Sequence, residues 1–198
     1  MTRSFGITFD YRCPFGRIAH DHVVAGLQAG ADWKVDFLPF CLGQAHVEEG
    51  MPDVWDSPET DSGLLAIQVA LSVRDRQSDA FLAVHRALFD HRHDRGGSLR
   101  DRSVLASVLA SAGADADAAF ADVDSGRTLE VARDEHERWV RSHHVWGTPT
   151  FIVGDAAVFV RLMEKSRDGA DSVRVVERIL ADIDWPILNE FKHTTVPA

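Results

Sequence analysis

The chain has 198 residues, 45% of them hydrophobic, and a formal net charge of −10. At that length folding buries roughly 70% of the unfolded surface, so a core forms without disulfides or a structural metal. The acidic balance argues against broad binding to phosphate backbones, which needs clustered Lys and Arg, and no basic amphipathic helix stands out for a membrane surface. Nucleic acid and membrane are therefore not expected partners.

The opening segment, MTRSFGITFDY, lacks the apolar core and cleavage pattern of a signal peptide. No run of about 18 apolar residues suits a bilayer span. With no export signal read, the two cysteines, Cys13 and Cys41, are expected as thiols rather than a structural bridge, and the expected location is the cytoplasm.

In chain order, SFGITF (4–9) reads as a short buried strand. Pro14 suits the first turn of a helix, where a missing N–H does no harm. GRIAHDHVVAGLQAG then carries helical spacing and ends at Gly30. WKVDFLPF alternates and is rich in β-formers, a second strand. The pair of strands and the helix between them predict a βαβ unit. A polar stretch with Gly50, Pro52 and Pro58 follows, and Ser57–Pro58 reads as an N-cap and first helical residue.

Helical patterns dominate to about residue 145. Phe81, Val84, His85 and Leu88 make one apolar face. SLRDRSVLASVLASAG starts with a capping-box-like Ser98 and Asp101, faces inward with Val104, Leu105, Val108 and Leu109, and ends at Gly113. TLEVARDEHERWVRSHHV is a charged helix with Leu129, Ala132 and Trp139 inward. The period then returns to two. TPTFIVGDAAVFVRL predicts a hairpin turning at Gly154–Asp155. DSVRVVERILADI predicts a last helix, capped by Asp171 and faced by Val173, Val176, Ile179, Leu180 and Ile183. The tail EFKHTTVPA shows no clear element, and no internal repeat or linker divides the chain.

Cys13 stands at the predicted start of the first helix, in FDYRCPFGRIAH. Unpaired N–H groups and the positive end of the helix dipole meet there. The dipole is worth roughly 0.3–1 kcal/mol, up to about 2 in sheltered geometry, which lowers a thiol pKa by at most about 1.5. Arg12 and Arg17 add to this and Asp10 opposes it. The expectation is a partly ionised thiol at neutral pH, against the alternative of a small buried hydrophobe. The second feature is WGTPTFIV, where Thr148 must be extended before Pro149 and the X–Pro bond is one that can be cis.

Together, Cys-Pro at the helix start of a βαβ unit, a helical insertion, and GTPTF leading into a hairpin and last helix resemble the thioredoxin fold in its DsbA-like form. The resemblance covers nearly the whole chain. It implies an α/β fold with a central mixed sheet, built from residues 1–56 and 146–198, and an inserted all-helical lobe at 57–145. It also implies that Cys13 is the nucleophile, that Thr148–Pro149 is cis and packs on the Cys13 loop, and that the Thr148 backbone pairs with an extended substrate. Phe15, Trp146 and the lobe would wall the cleft. The same branch includes kappa-class glutathione transferases and 2-hydroxychromene-2-carboxylate isomerases, and DYRCPFGRIAHDHV looks most like actinobacterial DsbA-family proteins.

One departure is decisive. The family's usual C-P-x-C is here Cys13-Pro14-Phe15-Gly16, and Gly16 has no thiol to resolve a mixed disulfide. A single thiolate still exchanges with disulfides when an external thiol releases it. Three readings remain open: a monothiol oxidoreductase or thiol transferase served by mycothiol or glutathione, with no tightly bound cofactor; a kappa-transferase- or isomerase-like enzyme that uses a bound small thiol; and a binding protein without redox activity. The sequence leaves a homodimer open. Cys41, just past the second strand, is a candidate second thiol, since adjacent parallel strands end on the same sheet edge.

The pairs His20/His22, His91/His93 and His143/His144 are too close in spacing to share one metal, no zinc pattern occurs, and no metal is expected. His20 lies two turns beyond Cys13, far for a direct base. Glu48, Glu49 and Asp53 read as a solvated loop, and RDEHERWVR as a solvent face. No nucleotide-binding glycine loop or nucleophile elbow is present.

Overall fold

The computed structural model describes residues 2–183 together with Trp185 and Ile187; the tail EFKHTTVPA lies outside the described residues. Strand β1 (Arg3–Phe9) is followed by α1 (Pro14–Gln28) and β2 (Trp33–Pro39). Next come α2 (Leu42–Ala45), two short 3₁₀ turns (Val54–Asp56 and Pro58–Thr60), and five helices: α3 (Leu64–Arg76), α4 (Ser78–His93), α5 (Arg102–Ser111), α6 (Ala116–Asp124) and α7 (Arg127–His143). Strands β3 (Thr150–Val153) and β4 (Ala156–Phe159) and helix α8 (Gly169–Ile183) complete the described chain.

The sheet order is β2-β1-β3-β4. β1 pairs parallel with β2 and antiparallel with β3, and the β3–β4 hairpin is antiparallel. The sheet is therefore mixed and takes strands from both ends of the chain. β1 is one of its two interior strands, and Phe5 through Phe9 are buried on both faces, which is why SFGITF reads as a buried strand. α1 packs on α8, and α8 on β3 and β4. On α1, a Cβ at Gly26 would lie 2.3 Å from the Trp33 ring, so glycine admits that indole against the helix. Trp33 Nε1–H then donates to Glu177 Oε1 at 2.6 Å, tying β2 to α8.

The inserted helices are not a detached body. α4 packs on α1, α7 reaches β2, and one apolar cluster runs from Phe5 and Ile7 through Leu64, Leu71 and Leu88 to Val176. The face formed by Phe81, Val84, His85 and Leu88 is buried throughout.

Several local readings need correction. Ser57–Pro58 begins only a 3₁₀ turn; α3 starts six residues beyond Pro58, where the Asp61 carboxylate accepts the N–H groups of Gly63 (2.8 Å) and Leu64 (2.7 Å). Asp101 is itself the cap of α5, accepting from Ser103 and Val104, because its shorter side chain serves better as a cap than as the reaching partner of a capping box. Asp168, not Asp171, caps α8, accepting the Asp171 N–H at 2.7 Å. On α7 the fully buried residues are Thr128, Ala132 and His136, while Leu129 and Trp139 are half-buried. On α5 and α8, Val104, Val108, Val173 and Ile179 are likewise half-buried flanks of the stripe.

Candidate functional site around Cys13 and the Thr148–Pro149 loop

Two loops meet at the edge of the sheet where β1 ends and β3 begins. The first is built by a turn in which the Cys13 N–H donates to the Asp10 carbonyl at 3.0 Å, leaving Cys13 as the N-cap of α1. Extended backbone at Cys13 (φ −79°, ψ 115°) aims its sulfur across the helix start, and Sγ accepts the Gly16 N–H at 3.2 Å. The second loop leaves α7 through His144, whose φ of 52° is left-handed. Val145 then anchors in a small cluster with Leu38, Phe40 and Ile152. The Thr148–Pro149 bond is cis.

Threonines lock the second loop to β1. Thr148 Oγ1 donates to the Thr8 carbonyl at 2.6 Å, Thr150 N–H to Thr8 Oγ1 at 2.8 Å, and Thr150 Oγ1 to the Gly147 carbonyl at 2.8 Å. This lattice presents the Thr148 carbonyl to Cys13, whose thiol donates to it at 3.1 Å. Cys13, Gly16, Thr148 and Pro149 thus share one buried floor. Pro14 is exposed above it and Phe15 half-buried. Trp146 is 70% exposed and lies on Phe159, ring centroids 4.5 Å apart.

The expected lowering of the Cys13 pKa is overturned. Burial pushes the thiol up, and the Gly16 and Phe15 N–H groups only partly oppose it; Asp10 also raises it, while Arg161 lowers it. Cys13 is 7% exposed, so lost hydration outweighs a dipole worth about 1 kcal/mol. Nor do Arg12 and Arg17 serve the sulfur. Arg12 is committed to Asp10 (2.6 Å) and Asp61 (2.9 Å), and Arg17 to Asp90 and Asp94. The cation acting on Cys13 is Arg161, whose guanidinium carbon stands 4.0 Å above the Phe15 ring centroid. No local motif marks Arg161; only the return of the hairpin brings it there.

Cys41 and Cys13 are both free thiols. Cys41 stands at the N-terminal cap position of α2 without a side-chain capping bond, its Sγ 3.8 Å from Arg12 Nη2, and burial together with Asp61 pushes it up to about 12. It is buried beside the Asp10–Arg12–Asp61 network.

His20 is no base for Cys13. Its Nε2–H donates to the Thr8 carbonyl at 3.0 Å, so Nδ1 must accept from His85 Nε2–H (2.9 Å), and His85 Nδ1 in turn accepts the Tyr11 hydroxyl (2.8 Å). All three side chains are at most 1% exposed. Burial pushes His20 down to about 4 and His85 well below its usual value, so the ladder is neutral. Periodicity placed His85 on a core face but held no sign of its partners. Among the described residues, no group of three or more His, Cys, Asp or Glu is arranged to hold a metal. Glu48 and Glu49 are exposed, while Asp53 accepts the Gln44 amide at 2.7 Å. Arg133, Glu137 and Arg141 form ion pairs along the α7 surface. No described helix is long and apolar enough to cross a membrane.

A sequence comparison with curated proteins finds no match. Solved structures match in fold. The cytosolic disulfide reductase DsbM from Pseudomonas aeruginosa, determined with glutathione, is 17% identical, with 90% of this chain and 99% of that chain covered and a TM-score of 0.62. A 2-hydroxychromene-2-carboxylate isomerase is 15% identical over 94% and 100% of the two chains, TM-score 0.65. A probable DsbA oxidoreductase from Streptomyces coelicolor is 16% identical over 98% and 95%, TM-score 0.61. The family model for the DSBA-like thioredoxin domain matches residues 7–181, and its span takes in the Cys13 loop, the inserted helices and the Thr148–Pro149 loop alike. The chain belongs to the DSBA-like thioredoxin domain family.

Proposed function

We propose that this protein is a cytoplasmic thiol–disulfide exchange enzyme that works through Cys13 alone, with a small thiol such as mycothiol or glutathione as the releasing cosubstrate. The observation that carries this reading is the Cys13 sulfur held between the Gly16 N–H and the Thr148 carbonyl, beside the cis Thr148–Pro149 bond, with glycine where a resolving cysteine would stand.

At rest Cys13 is a thiol donating to Thr148. On losing its proton to water, the thiolate attacks one sulfur of a disulfide. That S–S bond breaks, a Cys13–substrate disulfide forms, and the departing thiolate takes up a proton. The Gly16 N–H hydrogen bond supports the negative Cys13 sulfur before it attacks and again when it is released. Because Gly16 carries no sulfur, release requires a second small thiol. It attacks the substrate's sulfur in the mixed disulfide, returning Cys13 as thiolate and leaving as a disulfide with the substrate.

The test is intact-mass analysis after exposure to small disulfides, followed by the small thiol. The expected result is a single-thiol adduct on Cys13, absent in Cys13→Ser and removed by added thiol. A protein that forms no adduct at any pH up to 10 is a binding protein instead. The raised thiol pKa favours one further reading, in which Cys13 stays protonated and tunes a bound small thiol directed at an electrophile. Under that reading Cys13→Ser retains activity on electrophiles while losing exchange.

A further inference from the structure

We propose that Arg161 makes the Cys13 site selective for disulfides and thiols that carry a negative charge, carboxylates above all. The inference rests on the exchange reading and adds the substrate's charge class to it.

Three observations place Arg161 in the site. The Val160 N–H donates to the Pro149 carbonyl at 3.0 Å, which fixes the Arg161 backbone one residue from the cis-proline loop. Its guanidinium lies over Phe15, two residues from Cys13. Its charge is among those acting on the Cys13 sulfur. The side chain is exposed, and no carboxylate among the described residues pairs with it. The contrast with its neighbours is informative. Arg12 and Arg17 flank Cys13 in sequence, and each is neutralised by two carboxylates. Asp10, the one acid acting on the sulfur, is itself paired with Arg12. Arg161 is therefore the exposed cation at the mouth of the site with no carboxylate partner among the described residues, although Asp10 acts more strongly on the sulfur itself and the chain as a whole carries −10.

A guanidinium stacked on a ring keeps its charge and the N–H donors along its edge, and those donors match a carboxylate in a two-point contact. Trp146, two residues before Thr148, lies on Phe159 and supplies an exposed apolar surface for the uncharged part of a small substrate. A substrate with its sulfur at Cys13 and a carboxylate a few bonds away has a partner for each part. A cationic substrate meets repulsion.

The experiment measures the rate of Cys13 adduct formation in the full-length protein at low salt. Three disulfides of similar size are compared: bis(2-carboxyethyl) disulfide, bis(2-hydroxyethyl) disulfide and cystamine, which are anionic, neutral and cationic. Each rate is divided by that disulfide's rate with free 2-mercaptoethanol, which removes intrinsic reactivity. The ratio between disulfides is independent of the thiolate fraction of Cys13, so it reports charge recognition and not the thiol's pKa. The expected order is anionic, neutral, cationic, with about a tenfold or greater span from first to last. The span collapses toward one in Arg161→Gln and in 0.5 M salt, reverses in Arg161→Glu, and persists in Arg161→Lys. Equal normalised rates in the native protein, or a span unchanged in Arg161→Gln, would overturn the role of Arg161 while leaving exchange intact. No adduct with any of the three would overturn the exchange reading and this inference with it.

Discussion

At Cys13 two effects of one location oppose each other. The start of α1 offers N–H groups that favour a thiolate, but the same fold covers the sulfur to 7% exposure and lets its S–H donate to the Thr148 carbonyl. Burial prevails, and the thiol is shifted up. Alkylation of Cys13 at saturating iodoacetamide is therefore expected to rise with pH through 9 without a plateau below it. A midpoint below 8.5 would show that the helix start outweighs burial after all. Gly16 is the other decisive residue. A Cβ built there lies 3.2 Å from the Cys13 Cβ and 3.6 Å from its sulfur, a few tenths of an ångström short of the roughly 3.5–4.5 Å Cβ separation of disulfides. The substitution Gly16→Cys, with a shift of a few tenths of an ångström, is expected to close a disulfide with Cys13. Its mixed adducts then expel the small thiol unaided, and the oxidised protein loses two mass units. A Gly16→Cys protein that keeps its adduct like the native one would show that the geometry forbids the bond.

Among elements, the start of the helical insertion is joined to the Cys13 loop by one ionic chain. Asp10 holds Arg12 and accepts the Leu42 N–H at 2.8 Å; Arg12 holds Asp61; Asp61 caps α3. Arg12 and Asp61 are nearly buried, with side chains 17% and 4% exposed. Removing Asp61 leaves Arg12 with Asp10 alone and leaves the Gly63 and Leu64 N–H groups uncapped in a buried site. Asp61→Ala is expected to cost about 2–4 kcal/mol in urea unfolding. A loss below about 0.5 kcal/mol, the range of an exposed pair, would show that solvent reaches the network. Asp101 caps α5 in the open, and Asp101→Ala is expected to cost only about 1 kcal/mol by the same measurement.

For the whole molecule, the Tyr11–His85–His20 ladder crosses from the inserted helix α4 to β1 and α1. Its polarity runs one way, from the tyrosine hydroxyl to the Thr8 carbonyl, and it is satisfied only while both imidazoles are neutral. Burial lowers His20 to about 4, below its unfolded value near 6.5. The unfolded chain therefore binds more protons between those values, and stability falls as pH drops from about 6.5 toward 4. For His20 alone the loss is roughly 3 kcal/mol. His136, which accepts the Cys41 N–H at 3.2 Å and is also lowered to about 4 by burial, adds a loss in the same window. Urea midpoints should fall steeply between pH 7 and pH 4.5, and His20→Asn should flatten that slope. A midpoint constant over this range would show that the ladder is open to water.

The strands, the helix faces, the hairpin and the Cys13-Pro14 and Thr148–Pro149 features were legible because each depends on residues within a few positions of one another. Apolar period, proline and glycine geometry, and a cysteine before Pro14 are local properties. The same locality let the sequence settle the lack of a second thiol at position 16, which sets the chemical question. The ionisation of that thiol was not legible. It depends on how much water the folded chain removes from the sulfur and on which cation reaches it, and both are set by residues about 135 to 150 positions away. Arg12, Arg17 and Arg161 look alike as letters. Only the tertiary structure decides that two of them are spent on carboxylates and the third stands over Phe15 with its charge felt at the sulfur, because a charge acts through space and is cancelled by whichever partner the fold brings nearest.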